Sequence, residues 1–190
     1  STQLSGLTTT QITGLNVATQ LTGLTSAQLA SITTTQALAL TTTEVTALAT
    51  TQVTGLTSAQ LNAFAATQLN ALDTTQLAVL TTAQLAGINT TQLSTLTTTQ
   101  ATGFTSTQVG LLTTTQIAGF GSTNLSALTT TQVGGLKSTQ INAMTTTEVA
   151  ALTTTEVSSL TTTQLTGLTS AEVAALDTTG LGALTSTKLG

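Results

Sequence analysis

Large apolar residues recur along the whole chain in units of eight, an octad whose places we number one to eight. A clear copy is TTTEVSSL at residues 153–160, and TTTQLTGL at residues 161–168 follows it directly. The fifth place holds Val, Leu or Ile, except at Ala37 and Ala101, and the eighth place is always large and apolar. The eighth-place residues other than Leu and Ile are Phe64, Phe104, Phe120 and Met144.

The register of the octads is kept almost without interruption. From Gln20 to Lys188 the fourth place advances by 168 residues, which is 21 steps of eight. The step from Gln11 to Gln20 is nine residues, so one residue is inserted near residues 16–18. The sequence therefore predicts a single repeat domain over residues 1–190, with about 23 octads, because a fixed short period is the signature of a solenoid or a similar array.

The spacing within an octad favours a helix. The fifth and eighth places are three residues apart, so they share a face of a helix but lie on opposite faces of a strand. The first place is usually Thr, and it also holds Asp73, Asn89, Gly121 and Asp177, which are residue types typical of helix N-caps. Three residues later, the fourth place interchanges Gln with Glu. Thr-x-x-Gln/Glu is the capping box, in which each of the two side chains accepts a bond from a backbone N–H group.

Each octad is therefore predicted to form one capped helix of about five or six residues over its second to seventh places. Gly or Ala at the seventh place suits a helix C-terminus, and the apolar residues on either side of the cap form a hydrophobic staple. The first-place residues that are poor caps and count against this rule are Val17, Ala49, Ala65 and Lys137. Leu38 lies beside the small residue Ala37, and Phe104 is expected to fill the space at Ala101.

A β-solenoid is the alternative fold, because Thr and Val favour strands and short repeats can build such folds. It gives no reason for Gln and Glu to interchange at one place, or for Thr, Asp and Asn to interchange at another. The predicted fold class is therefore an all-α solenoid. A helix this short is unstable alone, since independent stability needs about 12 residues. Stacked octads would join their fifth- and eighth-place side chains into one core, and the small seventh place would let backbones approach. The number of octads per turn stays open, with two giving a flat ribbon and three a triangular rod.

Composition argues against several functions. Only 4% of the residues are charged, and the chain has no Cys, His, Trp or Tyr. Since catalysis needs groups that titrate or attack, we expect no enzyme activity, no catalytic residue and no cofactor. A net charge of -4 with only Lys137 and Lys188 argues against nucleic acid as a partner. No apolar run approaches the roughly 18 residues of a membrane span, so we expect no membrane insertion.

The carboxylates are the remaining candidates for a metal site. Glu148 and Glu156 lie one octad apart and could face a cation, but hard cations need several more oxygen ligands. All four Glu residues occupy the fourth place and both Asp residues the first, where helix capping explains them. We therefore expect no metal site, and we expect Lys137 and Lys188 to be solvated surface charges. The three Phe residues, all at the eighth place, are predicted to lie in the core.

Thr and Ser at the first three places present a lattice of hydroxyl groups. Such a surface could bind ordered water or ice, carry glycans, or make lateral contacts between copies. Ice binding requires one uniform Thr face, whereas the third place varies between Thr and Ala and the first place admits Asp73, Lys137 and Asp177. A Thr-lattice binding protein, such as an ice-binding protein, is therefore the alternative function.

The unit Leu-Thr-Thr-Thr-Gln-Val-x-x-Leu resembles the octad arrays of very long bacterial secreted or cell-surface proteins that are adhesin-like. The resemblance implies an extracellular or cell-surface location and a role as stalk, matrix or filament, with no catalytic residues. Octads without a distinct polar cap also invite end-to-end continuation, and a surface poor in charge lacks the usual protection against association. We therefore expect a structural protein that forms or extends an extracellular fibre, filament or adhesin stalk and that self-associates end to end or laterally.

Overall fold

In a computed structural model the chain consists of short helices joined by short turns. The structure describes residues 2–184, with the side chains of residues 2, 3 and 18 excepted. The predicted all-α repeat solenoid is confirmed. The β-solenoid alternative is wrong, because no residue between 2 and 184 lies in a strand.

Nearly every octad contributes one helix, which begins at the second place and ends between the fifth and the seventh. The first half of the chain contains α1 (Thr2–Ser5), α2 (Thr9–Thr13), a π-helix (Val17–Leu21), α3 (Ser26–Ala30), α4 (Thr34–Ala39), α5 (Thr42–Thr46), α6 (Thr50–Val53), α7 (Ser58–Ala63), α8 (Ala66–Leu69), α9 (Thr74–Ala78), α10 (Thr82–Gly87) and α11 (Thr90–Ser94). The second half contains α12 (Thr98–Ala101), α13 (Ser106–Leu111), α14 (Thr114–Leu125), α15 (Thr130–Val133), α16 (Ser138–Asn142), α17 (Thr146–Ala150), α18 (Thr154–Ser159), α19 (Thr162–Leu165), α20 (Ser170–Ala175) and α21 (Thr178–Ala183).

The residues group into two compact units, Ser1–Thr95 and Leu96–Gly190, the N-terminal and C-terminal units. Within each unit a helix packs against the helix three octads further along the chain, as α4 does with α7 and α15 does with α18. Hydrogen bonds described below also join an octad to the fourth octad before it. One superhelical turn therefore holds between three and four octads, which differs from both the ribbon and the triangle. The prediction of a single repeat domain stays a prediction.

The burial pattern repeats with the octad. The fifth and eighth places form the core, as in Leu61 and Phe64, which are 0% and 3% exposed, so the predicted inner seam is confirmed. The first and third places are exposed, and the seventh place is mostly half-buried. The fourth place is also buried: from Gln36 to Glu172 its side chains are between 1% and 7% exposed. Buried polar side chains need hydrogen-bond partners. The fourth-place side chain is therefore expected to make further hydrogen bonds besides the one that caps its own helix.

The core has two small fifth-place residues, Ala37 and Ala101, whose large neighbours are Leu38 and Phe104. Ala37 is fully buried, whereas Leu38 is 50% exposed, so Leu38 faces solvent and does not fill the space beside Ala37. Phe104 is buried and packs edge-on against Phe120, with ring centroids 5.7 Å apart and an interplanar angle of 63°. All three Phe side chains are buried, which confirms that they belong to the core.

The nine-residue spacing between Gln11 and Gln20 corresponds to a single wider helical turn. The helix cap is Asn16, whose side chain accepts a bond from the Thr19 N–H, and the Leu21 N–H reaches back five residues to the Asn16 carbonyl. Val17 is therefore not the cap that the octad register indicated. A π-helical turn takes up one extra residue within a helix, so the octads after it keep their register.

The octad that begins at Gly121 departs from the others. Gly121 is the one described residue with a positive φ, 72°, and α14 runs through it with a kink. The other first-place residues that precede a helix have φ between −62° and −90°, as at Ala65 and Asn89. Gly121 was predicted as an ordinary N-cap, but a left-handed φ is open mainly to Gly. Here the first place therefore joins two helices instead of capping one.

Four seventh-place Gly residues lie where neighbouring turns approach each other closely. Helices end at or near the seventh place, as predicted, but apart from Gly121 no described Gly has the positive φ of a left-handed C-cap. A Cβ atom on Gly55 would lie 2.5 Å from the Ser26 Cα atom and 2.5 Å from its carbonyl oxygen. Gly87, Gly135 and Gly167 meet Ser58, Ser106 and Ser138 in the same way. The predicted close approach of backbones is therefore confirmed, and it occurs between turns of one chain.

We predict that Gly55→Ala destabilises the protein by about 1–3 kcal/mol, because overpacking a close contact forces the backbone to shift. The control is Gly182→Ala, since a Cβ atom there would meet nothing within 4 Å and Ala is the better helix former. Chemical denaturation monitored by circular dichroism measures both changes. Equal stability of the two variants would contradict the close approach.

Candidate functional site

Within each unit the fourth-place side chains form a buried polar column, from Gln36 to Gln92 in the N-terminal unit and from Gln100 to Glu172 in the C-terminal unit, and we call this arrangement the amide column. All four Glu residues belong to it, namely Glu44, Glu148, Glu156 and Glu172, and they include the pair Glu148 and Glu156 that the sequence raised as possible ion ligands. The column is the part of the molecule with the most specific polar geometry.

One end of each Gln side chain caps its own helix. The Gln60 Oε1 atom accepts a hydrogen bond from the Thr57 N–H at 2.7 Å, and the Thr57 Oγ1 atom accepts one from the Gln60 N–H at 3.2 Å. The predicted capping box is thus confirmed. At Ala49, Ala65 and Lys137 the first-place side chain cannot cap, but its N–H still donates to the fourth-place Gln, at 2.7–2.9 Å. The half of the box supplied by Gln is therefore kept where the half supplied by Thr is lost.

The other end of the same amide closes a second helix, four octads earlier. The Gln60 Nε2 atom donates to the carbonyl oxygens of Leu29 at 2.9 Å and Ile32 at 2.7 Å. These carbonyls lie at and just after the end of α3, where the regular bonds of the helix stop, and the Leu29 carbonyl also accepts a bond from the Ile32 N–H at 3.3 Å. Gln60 thereby uses its acceptor and both donors, and one neutral side chain satisfies the start of one helix and the end of another.

The same bonds recur at a constant separation of 31 and 28 residues. In the N-terminal unit Gln52, Gln84 and Gln92 bond the fifth- and eighth-place carbonyls in this way, at 2.6–2.8 Å. In the C-terminal unit Gln132, Gln140 and Gln164 do so at 2.6–3.0 Å. Sequence reasoning missed these bonds. The available signal was the excess of Gln over Glu, because a capping box accepts either residue but only an amide can also donate.

Asn124 shows what the length of Gln contributes. Asn is one methylene shorter, and Asn124 donates to the Leu96 carbonyl at 3.0 Å, which is 28 residues earlier. In that octad the first-place residue is Gly121, and no capping box is formed around it. The shorter side chain thus keeps the bond between turns, and the cap is the part that is lost.

Glu can perform only one of the two tasks when it is ionised. The Glu156 Oε2 atom accepts bonds from the Thr153 N–H and the Thr153 Oγ1, both at 2.6 Å. The Glu156 Oε1 atom is buried and has no hydrogen-bond partner, and the same holds for the Glu44 Oε1 atom. Burial raises the pKa of the Glu156 carboxyl above its ordinary value of 4.5, although the bonds from Thr153 act in the opposite direction.

The pair of Glu148 and Glu156 does not form a shared ion site in the described part of the chain. Each carboxylate is held by its own cap residue, as the Glu148 Oε2 atom is by the Thr145 N–H at 2.7 Å. Between residues 2 and 184 no three His, Cys, Asp or Glu side chains come together as a metal site would require. The absence of a metal and of catalytic residues stays a prediction.

Many exposed hydroxyl groups are engaged within their own octad. First-place hydroxyls cap helices, and some also donate to the fourth-place side chain, as Thr25 does to the Gln28 Oε1 atom at 3.0 Å. Several sixth-place hydroxyls bond the carbonyl three residues earlier, as in Thr54 and Thr166. Most third-place side chains are exposed to solvent, whereas several second-place side chains, such as Ser58 and Ser106, are half-buried. Because helices stack on the third octad along and not on the next, the hydroxyl groups of consecutive octads are not stacked on one another.

Very few charges reach the surface. Among residues 2–184 the exposed charged side chains are Asp73, Lys137 and Asp177, since the four Glu residues are buried. Hydrogen bonds from the Thr75 Oγ1 at 2.6 Å and the Gln76 N–H at 2.8 Å hold the pKa of Asp73 below its ordinary value. Lys137 is solvent-exposed as predicted, and Lys188 lies outside the described residues.

The surface grooves have mixed polar and apolar linings. One is lined by Ser138, Thr139, Asn142, Thr166 and Gly167. It follows the seam where Gly167 meets Ser138, so it results from the close packing of turns. As for membranes, none of the described helices has the length and apolar character needed to cross one.

We predict that Gln60→Ala lowers the free energy of unfolding by about 2–4 kcal/mol, because the Ile32 carbonyl and the Thr57 N–H lose the side chain that bonds them and the Leu29 carbonyl keeps only its bond from the Ile32 N–H. Gln11→Ala is the matched control. Gln11 is exposed and its Oε1 atom accepts bonds from the Thr8 N–H and the Thr8 Oγ1 at its own helix start, so this substitution should lower the free energy of unfolding by about 1 kcal/mol. Urea denaturation of both variants provides the comparison. A Gln60→Ala cost no larger than that of Gln11→Ala would contradict the role in joining turns.

We predict that the wild type loses stability at low pH through protonation of Asp73, and that Asp73→Asn does not show this loss. The pKa of Asp73 is lowered from 3.8 in the folded protein, so its contribution is present above pH 3.8 and is lost as the pH falls through the folded pKa. Asn keeps the capping oxygen. The thermal midpoint of the wild type should therefore fall relative to that of the variant below pH 3.8, and parallel midpoints across this range would argue against the assignment.

Comparison with known families supports a repeat protein. The model of the ALTTAQ repeat family matches residues 117–154, which is a fifth of the chain and lies entirely in the C-terminal unit. Neither the curated proteins nor the solved structures gave a match. The chain is thus a repeat protein with helical octads, and the matched segment is similar to the ALTTAQ repeat.

Proposed function

We propose that this repeat protein is structural: it forms or extends an extracellular fibre, filament or adhesin stalk, and it catalyses no reaction. The observation that carries the proposal is that a turn of octads is completed only by another turn. Each amide of the column needs carbonyl groups from the turn before it, and each turn supplies carbonyl groups to the turn after it. Such a surface selects more of the same repeat as its partner.

The described turns have two different and complementary sides. In the first turn the fourth-place side chains of Gln11 and Gln20 are exposed, and the eighth-place Leu15 is only half-buried. In the last described turn the less covered residues are instead at the fifth place, as in Val173 and Leu181. One side therefore offers amide donors and eighth-place side chains, and the other offers carbonyls and fifth-place side chains. A contact between unlike sides is heterologous, and repeated it gives an open filament. The continuing turn belongs either to more of the same chain or to a second copy.

The surface between these sides also favours association. With three exposed charged side chains among residues 2–184, namely Asp73, Lys137 and Asp177, repulsion between copies is weak. Natural proteins commonly use charges to avoid such association. Lateral contact would use the second- and third-place hydroxyls, because the seventh-place glycines are already packed between turns. The same hydroxyls are the positions that could carry glycans, and the small number of cations gives no surface for nucleic acid.

The extracellular or cell-surface location rests on the resemblance to bacterial adhesin-like octad arrays. The enclosed core and the absence of Cys are compatible with that setting, and the function needs no cofactor.

We predict that the purified chain forms filaments whose length grows with protein concentration, seen by negative-stain electron microscopy and by sedimentation velocity. The double variant Gln11→Glu with Gln20→Glu should shorten them. Glu keeps the capping role, but it removes the amide donors and places charge against the incoming carbonyls. The control carries the same charge on outward places of the same turn, as Thr9→Glu with Thr10→Glu. Discrete monomers of the wild type at all concentrations, or equal filament lengths for the two double variants, would overturn the end-to-end proposal.

A further inference from the structure

Glu156 occupies a position in which most other octads have Gln. Its Oε2 atom performs the capping task, and its Oε1 atom is buried without a partner. In the C-terminal unit, Gln132, Gln140 and Gln164 use the corresponding amide nitrogen to donate to carbonyls 31 and 28 residues earlier. Applied to Glu156, this register selects the carbonyl groups of Leu125 and Leu128. An ionised carboxylate would place an oxygen with no proton to donate beside these acceptors.

We propose that Glu156 is a proton-dependent latch between turns, in which the protonated carboxyl donates from Oε1 to the carbonyl side of the octad at residues 121–128. The proton makes the carboxyl equivalent to the amide of Gln: one oxygen accepts from the Thr153 N–H, and the other donates across the turn. Loss of the proton leaves the cap intact and breaks only the bond between turns. This property goes beyond the proposed fibre function and does not depend on it.

The orphan oxygen supports the latch independently of any titration. Glu156 is 2% exposed, so water does not solvate its second oxygen, and an unpaired buried charge is costly. The eighth-place carbonyl of Leu128 likewise lacks the partner that the regular octads provide. In those octads the partner is a Gln amide, as when Gln164 donates to the Leu136 carbonyl. A single proton satisfies both groups. Glu44 has the same buried orphan oxygen in the N-terminal unit.

The surroundings of Glu156 leave burial as the main influence on its titration. The described helices packed against α18 are α15 and α21. α15 has no titratable side chain, and the titratable side chain at α21 is that of its N-cap residue, Asp177. The octad at residues 121–128 has none, and the preceding octad contributes Glu148. No cation among these groups offsets the burial, and both neighbouring groups are acids. In keeping with this, burial raises the pKa of Glu156.

The sign of the pH effect follows from the raised pKa. A carboxyl whose pKa is higher in the folded than in the unfolded protein stabilises the fold fully below the unfolded value. That stabilisation is lost as the pH rises through the folded value. Acidification from neutral pH towards 4.5, the ordinary value for Glu, should therefore strengthen this part of the C-terminal unit. This effect is opposite in direction to that of Asp73 and lies at higher pH.

The test compares urea denaturation midpoints of the full chain with those of Glu156→Gln between pH 4 and 8. Glu156→Gln supplies the donor at every pH, so its midpoint should exceed that of the wild type by about 0.5–1 M at pH 8. The difference should shrink towards zero as the pH approaches 4. Gln164→Glu is the reciprocal variant: it should lower the midpoint at pH 8 and recover at pH 4, because Gln164 bonds Val133 and Leu136 in the regular way.

A second readout needs no change in stability. Carbon-13 labelling of the Glu carboxyl groups allows their titration to be followed by NMR in the wild type, and the signal lost in Glu156→Gln identifies Glu156. We expect its midpoint above 4.5. A midpoint at or below 4.5, or a difference in stability between the wild type and Glu156→Gln that does not change with pH, would overturn the latch.

Discussion

The structure depends on a neutral side-chain amide that joins two helix ends. A helix of four to six residues satisfies very few of its own backbone groups, because the first four N–H and last four carbonyl groups have no partner within the helix. In the regular octads the fourth-place Gln accepts from the N–H that begins its own helix and donates to the carbonyls that end another. Gln60 does this between α7 and α3. The amide also has to be neutral, since it lies in the core between fifth- and eighth-place side chains. The reach of the Gln side chain therefore lets it bond two helix ends at once, whereas the shorter Asn124 keeps only the bond between turns.

This constraint connects the local repeat to the proposed role. An isolated octad leaves a polar group exposed on one side and carbonyl groups on the other, so its stability comes from neighbours along the solenoid. A protein built in this way gains its stability by extension. The few charges are used sparingly: Asp73 caps a helix at the surface, whereas Glu156 replaces a core amide and thereby makes one junction sensitive to protons. The packing of Ser26 against Gly55 also depends on the neighbouring turn, because two small residues let the backbones of the two turns come into contact.

The helices could be predicted from the sequence because their causes are local. The first- and fourth-place residues are three apart, so the capping box at Thr57 and Gln60 needs no knowledge of the turn. The bonds from Gln60 to Leu29 and Ile32 could not be predicted, because a separation of 31 and 28 residues depends on how many octads make a turn. For the same reason the close approach expected at the seventh place could not be matched to its partner, which at Gly55 is Ser26. Asn16 was missed as a cap because the register is shifted there by one residue, and the exposure of Leu38 follows from its position around the helix and not from the small size of Ala37.

The most direct test of this account is hydrogen exchange of the Gln side-chain amides by NMR in the unmodified protein. The account predicts that the Nε2 protons of Gln60 exchange slowly and show nuclear Overhauser effects to Leu29 and Ile32, because they are buried and bonded to those carbonyls. The exposed amide of Gln11 should exchange at the rate of a solvated side chain. Fast exchange at Gln60, equal to that at Gln11, would show that the amides do not join the turns and would contradict the account.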